Sequence, residues 1–188
     1  VTDALHNDPR TDAQLVAACN GGDAAAFEVL YRRHRDYVLR VTYRFARDHQ
    51  TAMDAMQETF FYLLRKFPPP GEGLDLTAQV TTLLYPVAKH TAIRMAQKAR
   101  RHVSDADLPG DVAASNDADP HDGDDLAALL ASLSGDRREL LTLRFVDGLT
   151  LAEIAESLEI PIGTVKSRLH LAIKALRDDP RTKKFFDA

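Results

Sequence analysis

Asp54, Gln57 and Glu58 are three polar side chains at steps of three and four along a stretch, TAMDAMQETFFYLLRKF, whose apolar residues also recur at helical spacing. On a helix they share one face with Phe61. Paired carboxylates at that spacing could hold a metal or move protons. Here no His or Cys stands at ligand spacing, no phosphate-binding glycine loop lies nearby, and no nucleophile–base constellation occurs in the chain. No catalytic residue, metal or cofactor is therefore expected, and the protein is read as not an enzyme. The face reads as a polar docking surface flanked by aromatics for a protein partner, with a plain solvated helix face as the alternative.

A second group is cationic. Between Leu76 and Ser104 there is no acidic residue, while Lys89, Arg94, Lys98, Arg100 and Arg101 are basic and His90 and His102 stand among them. Such a stripe neutralises phosphates whatever the base sequence. A third group lies in Thr150 to Leu176, TLAEIAESLEIPIGTVKSRLHLAIKAL. Thr150 and Glu153 form a capping box, and Ile154, Ala155 and Leu158 follow on one face. Glu159-Ile160-Pro161 breaks the pattern, and Pro161 suits the first turn of a new helix. Val165, Leu169, Ala172, Ile173 and Leu176 make that helix's apolar side. Thr164, Lys166, Ser167, Arg168, His170 and Lys174 make an outer face rich in hydrogen-bond donors. Two short helices of this kind predict a helix-turn-helix whose second helix reads DNA.

The elements that position these groups are all helical. A first helix runs from Thr11 to Asn20, with a Thr11/Gln14 capping box and a stop at Gly21-Gly22. A long helix is expected over residues 24–47, capped by Asp23, with Phe27, Leu30, Tyr31, His34, Val38, Val41 and Phe45 as its buried stripe. Arg32, Arg33, Arg35, Asp36 and Arg40 take its solvated side. The helix carrying Asp54 is expected over residues 51–67, burying Met53, Met56, Phe60, Leu63 and Leu64, and Pro68-Pro69-Pro70-Gly71 stops it. A basic helix is expected from about Ala78 to His102, burying Val80, Leu84, Val87, Ala88, Ile93 and Met95. Pro86 would crowd the Thr82 carbonyl, so a kink or a helix starting near Pro86 is expected. Further on, Leu126 to Leu133 reads as a short apolar helix. Ser134 is placed to cap the next, which runs through Phe145 to a turn at Asp147-Gly148.

The chain of 188 residues has a net charge of −4, which by itself argues against nucleic acid. The distribution overrides the sum. Ser104 to Asp125 holds eight aspartates, no Lys or Arg, two prolines and two glycines. That composition cannot bury enough apolar surface to fold alone and reads as a linker. It serves either as a solubilising spacer or as a polyacidic cover for a basic DNA-binding face. The fold class is thus all-α: two small helical domains, residues 11–103 and 126–178, joined by a flexible acidic linker over residues 104–125. The single cysteine, Cys19, excludes an internal disulfide and fits a reducing compartment. The opening VTDALHNDPR has no apolar signal core and no run approaches membrane-spanning length, so a cytoplasmic protein without direct membrane insertion is expected.

In this order the parts resemble a bacterial RNA polymerase sigma factor of the sigma-70 superfamily, of the small extracytoplasmic-function (ECF) type. Asp23 to Arg33 is similar to the start of region 2. Asp54-Ala55-Met56-Gln57-Glu58-Thr59-Phe60 is similar to the D-x-x-Q-[DE]-x-F segment of region 2.2. Leu149 to Leu176, with Gly163-Thr164-Val165-Lys166-Ser167-Arg168-Leu169, is similar to region 4.2. The resemblance covers nearly all of residues 11–178. It implies a protein that binds core RNA polymerase, recognises a promoter at its −35 and −10 elements and helps open it. Asp54, Gln57, Glu58 and Phe61 would dock on the clamp coiled coil of the largest polymerase subunit. Lys166, Ser167 and His170, with Thr164, Arg168 and Lys174, would face the −35 element; Arg168 could instead make an intra-domain salt bridge. Lys89, His90, Arg94, Lys98 and Arg101 would face the −10 region, and the loop at about Leu74 to Thr82 would capture an unstacked base. An anti-sigma factor is a further partner that the resemblance admits.

The sequence departs from the family at four places. Leu83-Leu84-Tyr85-Pro86-Val87-Ala88-Lys89-His90 lacks the usual tryptophan and carries His90 where Asn is frequent. Glu159 occupies a turn position that often holds Gly. Leu171 replaces a frequent arginine on the second helix of the motif. Two alternatives stand beside the main reading: a helix-turn-helix repressor or activator acting as a symmetric dimer, and a sigma-like decoy for an anti-sigma factor. The N-terminal docking face and the linker argue against the first. The lack of a receiver domain and the two retained basic faces argue against the second.

Overall fold

The computed structural model describes residues 8–68, 71–104 and 133–179. Among them are seven α-helices and no strand: α1 (Asp12–Asn20), α2 (Ala24–Ala46), α3 (His49–Leu64), α4 (Val80–Ser104), α5 (Gly135–Leu141), α6 (Leu151–Ser157) and α7 (Ile162–Asp178). The chain divides into two compact units, residues 1–108 and 109–188.

In the first unit the helix starts follow local chemistry. Thr11 Oγ1 accepts from the Gln14 amide at 3.3 Å, and the Gln14 side chain accepts from the Thr11 amide at 2.8 Å. Asp23 Oδ1 accepts from the amides of Ala25 and Ala26 at 3.0 and 3.2 Å. Asp48 caps α3 through the Thr51 amide at 2.7 Å, so that helix begins two residues earlier than its sequence pattern indicates. Each such cap satisfies amides that have no partner within the helix.

α2, α3 and α4 pack mutually around one core, with α1 laid on α2. The buried stripe of α2 is Ala26, Val29, Leu30, His34, Tyr37, Val38, Val41 and Thr42. Phe27, Tyr31 and Phe45, expected in that stripe, are half-buried at its edges. They serve as seams between helices: the Tyr31 and Phe60 rings meet edge-on at 4.7 Å between centroids, and Phe27 and Phe67 at 6.2 Å. α3 buries Ala52, Ala55, Met56, Thr59, Phe60 and Leu63, while Met53 is half-buried and Leu64 is exposed. Ala52 and Ala55 cluster with Ala46 of α2 and Ala92 of α4. Thr59 is accommodated in the interior because its hydroxyl donates to the Ala55 carbonyl at 2.7 Å. α3 ends at Leu64, and a tight turn then tucks Phe67 into the core.

α4 starts at Val80 and contains Pro86 in its interior, which corrects the expectation of a start near the proline. Its stripe explains this: Val80, Leu84, Tyr85, Ala88, Thr91, Ala92 and Ala96 bury on both sides of Pro86, so packing holds the helix across a residue that removes one hydrogen bond. Val87, Ile93 and Met95 are half-buried at the rim.

In the second unit α5 passes directly into a π-helical turn, Thr142–Val146, with the Asp147 amide bonded to the Thr142 carbonyl at 2.9 Å. Ser134 stands at the N-cap of α5 but makes no side-chain cap bond; its carbonyl accepts from the Arg138 amide at 3.0 Å. The expected helix over residues 126–133 lies outside the described residues except for buried Leu133. Leu140, Leu141, Leu143, Leu149, Ile154, Val165, Leu169 and Ala172 form the core that sets α6 and α7 in place.

Candidate nucleic-acid and protein interfaces

The helix-turn-helix is built from α6 and α7. Thr150 Oγ1 accepts from the Glu153 amide at 3.3 Å, and Glu153 Oε2 accepts from the Thr150 amide at 2.7 Å. α6 buries Ile154 and Ser157, with Ala155 and Leu158 half-buried. The turn is a Schellman motif: the Ile160 amide donates to the Ala155 carbonyl at 3.0 Å and the Glu159 amide to the Glu156 carbonyl at 3.2 Å. Glu159 adopts φ 53°, the left-handed conformation that favours glycine. Its departure from the family pattern is therefore absorbed as backbone strain, with the turn geometry intact. Pro161 is the N-cap of α7, one residue ahead of the first-turn position expected for it, and its carbonyl accepts from the Thr164 amide at 2.8 Å.

α7 buries Val165, Leu169 and Ala172, with Ile173 and Leu176 half-buried. Lys166, Ser167, Arg168, His170 and Lys174 are exposed, and Thr164 is half-buried beside them. At 3.6 residues per turn, Ser167, His170 and Lys174 stand opposite the buried side, with Lys166 on one flank and Thr164 and Leu171 on the other. Ser167 Oγ donates to the Thr164 carbonyl at 3.1 Å, so it presents lone pairs outward among neighbouring donors. Arg168 turns toward the unit's own surface: its Nη1 lies 3.7 Å from Asp136 Oδ2 at the start of α5. Both side chains of that pair are largely exposed, so the ion pair is weak.

On α4, His90, Arg94, Lys98 and Arg101 are exposed and fall along one stripe at steps of three and four. Lys89 is set apart. It is half-buried, with Nζ 5.6 Å from the Phe45 ring centroid. The loop ahead of α4 is fastened to the end of α1. Asn20 Nδ2 donates to the Leu74 carbonyl at 2.9 Å, and Asn20 Oδ1 accepts from the Leu74 amide at 2.8 Å. Gly73 enters this clamp at φ 104°, and a Cβ there would stand 3.2 Å from Asn20 Oδ1. Thr81 and Thr82, assigned to that loop from sequence, belong to the first turn of α4.

On α3, Asp54, Gln57 and Phe61 are exposed and Glu58 is half-buried, all on one face, with Phe61 at 55% exposure. Gln50 Nε2 donates to Asp54 Oδ1 at 3.2 Å and Arg65 Nη2 to Glu58 Oε1 at 3.4 Å. These are exposed contacts that exchange readily for a partner's cations. Leu64, 44% exposed, and Arg65 extend the same face, a feature the sequence pattern misses because Leu64 fits the apolar period. Among the described residues no group of three His, Cys, Asp or Glu could hold a metal, and no helix is long and apolar enough to cross a membrane.

A helical bundle with an exposed acidic–aromatic face and a basic helix, followed by a helix-turn-helix unit, is the architecture of a DNA-binding protein. Comparison with known proteins gives the family. The sigma-70 region 2 model matches residues 30–102 and the sigma-70 region 4 model residues 123–176. The chain is 32% identical over 167 residues to the ECF RNA polymerase sigma factor SigL of Mycobacterium tuberculosis, covering 86% of this chain and 93% of that protein. It is 31% identical over 180 residues to the RNA polymerase sigma-H factor of Pseudomonas aeruginosa, covering 88% and 91%. Among solved structures, CnrH in complex with the cytosolic domain of CnrY has a TM-score of 0.62 at 18% identity, covering 87% of this chain and 93% of that one. The sigma factor RpoE of Bartonella quintana, solved with the anti-sigma factor NepR, has a TM-score of 0.57 at 22% identity, covering 81% and 94%. These two share the fold. The chain belongs to the sigma-70 family of RNA polymerase sigma factors, and within it to the ECF type. It is a non-enzymatic initiation factor whose partners are core RNA polymerase and promoter DNA.

Proposed function

We propose how the two units divide this work. Residues 11–103 form the polymerase-docking and −10 unit, residues 126–178 the −35 unit, and residues 104–125 the tether between them. The exposed α3 face of Asp54, Gln57, Glu58 and Phe61 binds the clamp coiled coil of the largest polymerase subunit. Support comes from Phe61, a large ring left in water on an acidic face, which is the anchor-and-rim composition of a docking surface. Stripe residues His90, Arg94, Lys98 and Arg101 follow DNA phosphates around the −10 region, and Lys89 acts from the flank by holding α4 against Phe45. The outer face of α7, with Thr164, Lys166, Ser167, His170 and Lys174, enters the major groove at the −35 element. Arg168 is set aside from that face, its guanidinium turned toward Asp136 at the start of α5. The site of action is the cytoplasm, where the polymerase is, and an anti-sigma factor is a further partner.

The observation that carries this reading is the exposed cationic, hydroxyl-bearing outer face of α7 on a helix whose opposite side buries Val165, Leu169 and Ala172 in the core. Run-off transcription tests it. Purified protein with bacterial core polymerase should start transcripts from a subset of a genomic promoter library, and the polymerase alone should not. Failure across the library overturns the reading.

A further inference from the structure

We propose that Leu171 is a base-reading residue of α7 that receives the C5-methyl group of a thymine, so that the upstream promoter element of this protein carries a thymine at the position Leu171 faces. The proposal rests on the reading of α7 as the helix that enters the major groove.

The fold does not account for Leu171. α7 meets the core through Val165, Leu169 and Ala172, and Leu171 is 49% exposed on the outer side. It lies two turns beyond Thr164, four residues after Ser167 and three before Lys174, on one edge of the polar face. From Ser167 to Leu171 is one turn, about 6 Å along the axis and about 40° around it. A helix that places Ser167 against base edges therefore carries Leu171 beside it in the major groove.

The chemistry selects the ligand. The exposed neighbours of Leu171, Ser167, Arg168 and Lys174, are hydrogen-bonding or charged groups suited to phosphates and to base nitrogens and oxygens. A leucine inside the groove can satisfy none of those. The apolar group that a base pair displays in the major groove is the thymine methyl, which apolar side chains recognise by contact. Cytosine offers an amino donor and no methyl there, so Leu171 would leave that donor uncompensated. Removing one buried methyl corresponds to roughly a fourfold loss of affinity, by the transfer free energy of one carbon.

The test uses the full-length protein with core polymerase and promoter duplexes randomised in the upstream element. The enriched duplex is then resynthesised with each thymine replaced singly by deoxyuridine, which keeps base pairing and removes the methyl. The expected result is a loss of about fourfold at one thymine and little change at the others. Leu171→Ala should bind the thymine duplex several-fold more weakly, with unchanged salt dependence, and should no longer distinguish thymine from deoxyuridine at that position. An element without thymine, indifference to every deoxyuridine, or a loss that persists in Leu171→Ala overturns the proposal. Lys166→Ala separates the two levels. If no element is enriched, or Lys166→Ala binds it as well as the parent, the reading of α7 falls and the proposal with it. If Lys166→Ala weakens binding while deoxyuridine has no effect, the role of Leu171 alone is rejected.

Discussion

The ammonium of Lys89 lies 5.6 Å from the centroid of the Phe45 ring, joining the basic helix α4 to the last turns of α2. A cation over an aromatic face is held by the ring quadrupole, at about 0.5–1 kcal/mol where solvent has access. This places Lys89 apart from the exposed stripe of His90, Arg94, Lys98 and Arg101. Phe45→Leu should lower unfolding free energy by about 1 kcal/mol in urea titration. Arg94→Ala should reduce the slope of log affinity against log salt for promoter DNA by about 1. Lys89→Ala should change that slope less than Arg94→Ala does; an equal change would return Lys89 to the phosphate-contacting stripe.

The α3 face yields a binding prediction with little folding cost, since Asp54 and Phe61 are exposed and Glu58 is half-buried. Asp54→Lys combined with Glu58→Lys should weaken association with core polymerase by at least tenfold. Phe61→Ala should cost about 2 kcal/mol of binding if it is the anchor. Surface-immobilised polymerase measures both, and circular dichroism checks that helicity is retained. Unchanged binding in the double variant would move the docking surface elsewhere.

Lys166→Ala should weaken promoter binding and lower the salt slope by about 1 if its ammonium reaches a phosphate. If it reads a base, the loss should be about 1–3 kcal/mol and confined to one position of the element. Fluorescence anisotropy at several salt concentrations distinguishes the two. A variant indistinguishable from the parent would remove Lys166 from the interface.

Glu159 carries the helix-turn-helix corner at φ 53°. A side chain in that region costs about 1–2 kcal/mol, and a glycine replacement gives back about 0.5–1 kcal/mol of that through the greater entropy of the unfolded chain. Glu159→Gly should therefore raise stability by about 0.5–1 kcal/mol and leave promoter selectivity unchanged. Thermal melting reads the first effect. A lowered melting temperature would mean that the Glu159 side chain makes a compensating contact.

Asp12 gives an acid-limb prediction. Its carboxylate accepts from His34 Nε2 at 2.8 Å and also pairs with Arg33, and together these hold its pKa below the ordinary carboxylate value, the His34 bond most strongly. A depressed folded-state pKa means stability that is complete above the unfolded value, near pH 4, and is lost as pH falls through the folded one. Asp12→Asn should cost about 1 kcal/mol at neutral pH and flatten the decline in stability below pH 4. An unaltered acid limb would show that other carboxylates set it.

The local parts of this protein are written in its sequence. Both capping boxes, Thr11/Gln14 and Thr150/Glu153, form as their spacing indicates, because each closes within one helical turn and depends on nothing distant. The two helices of the DNA-binding motif, the core side of α7 and the shared face of Asp54, Gln57, Glu58 and Phe61 are legible for the same reason: helical period alone assigns them. Tertiary structure decides what period cannot. Leu64 and Met53 fit the apolar pattern of α3, yet Ala52, Ala55 and Thr59 are the fully buried positions, and Ala52 and Ala55 cluster with Ala46 of α2 and Ala92 of α4. The contacts of Asn20 with Leu74, Lys89 with Phe45 and Arg168 with Asp136 join residues 54, 44 and 32 positions apart. No local rule links such residues; they meet because burial of the apolar stripes brings their helices together.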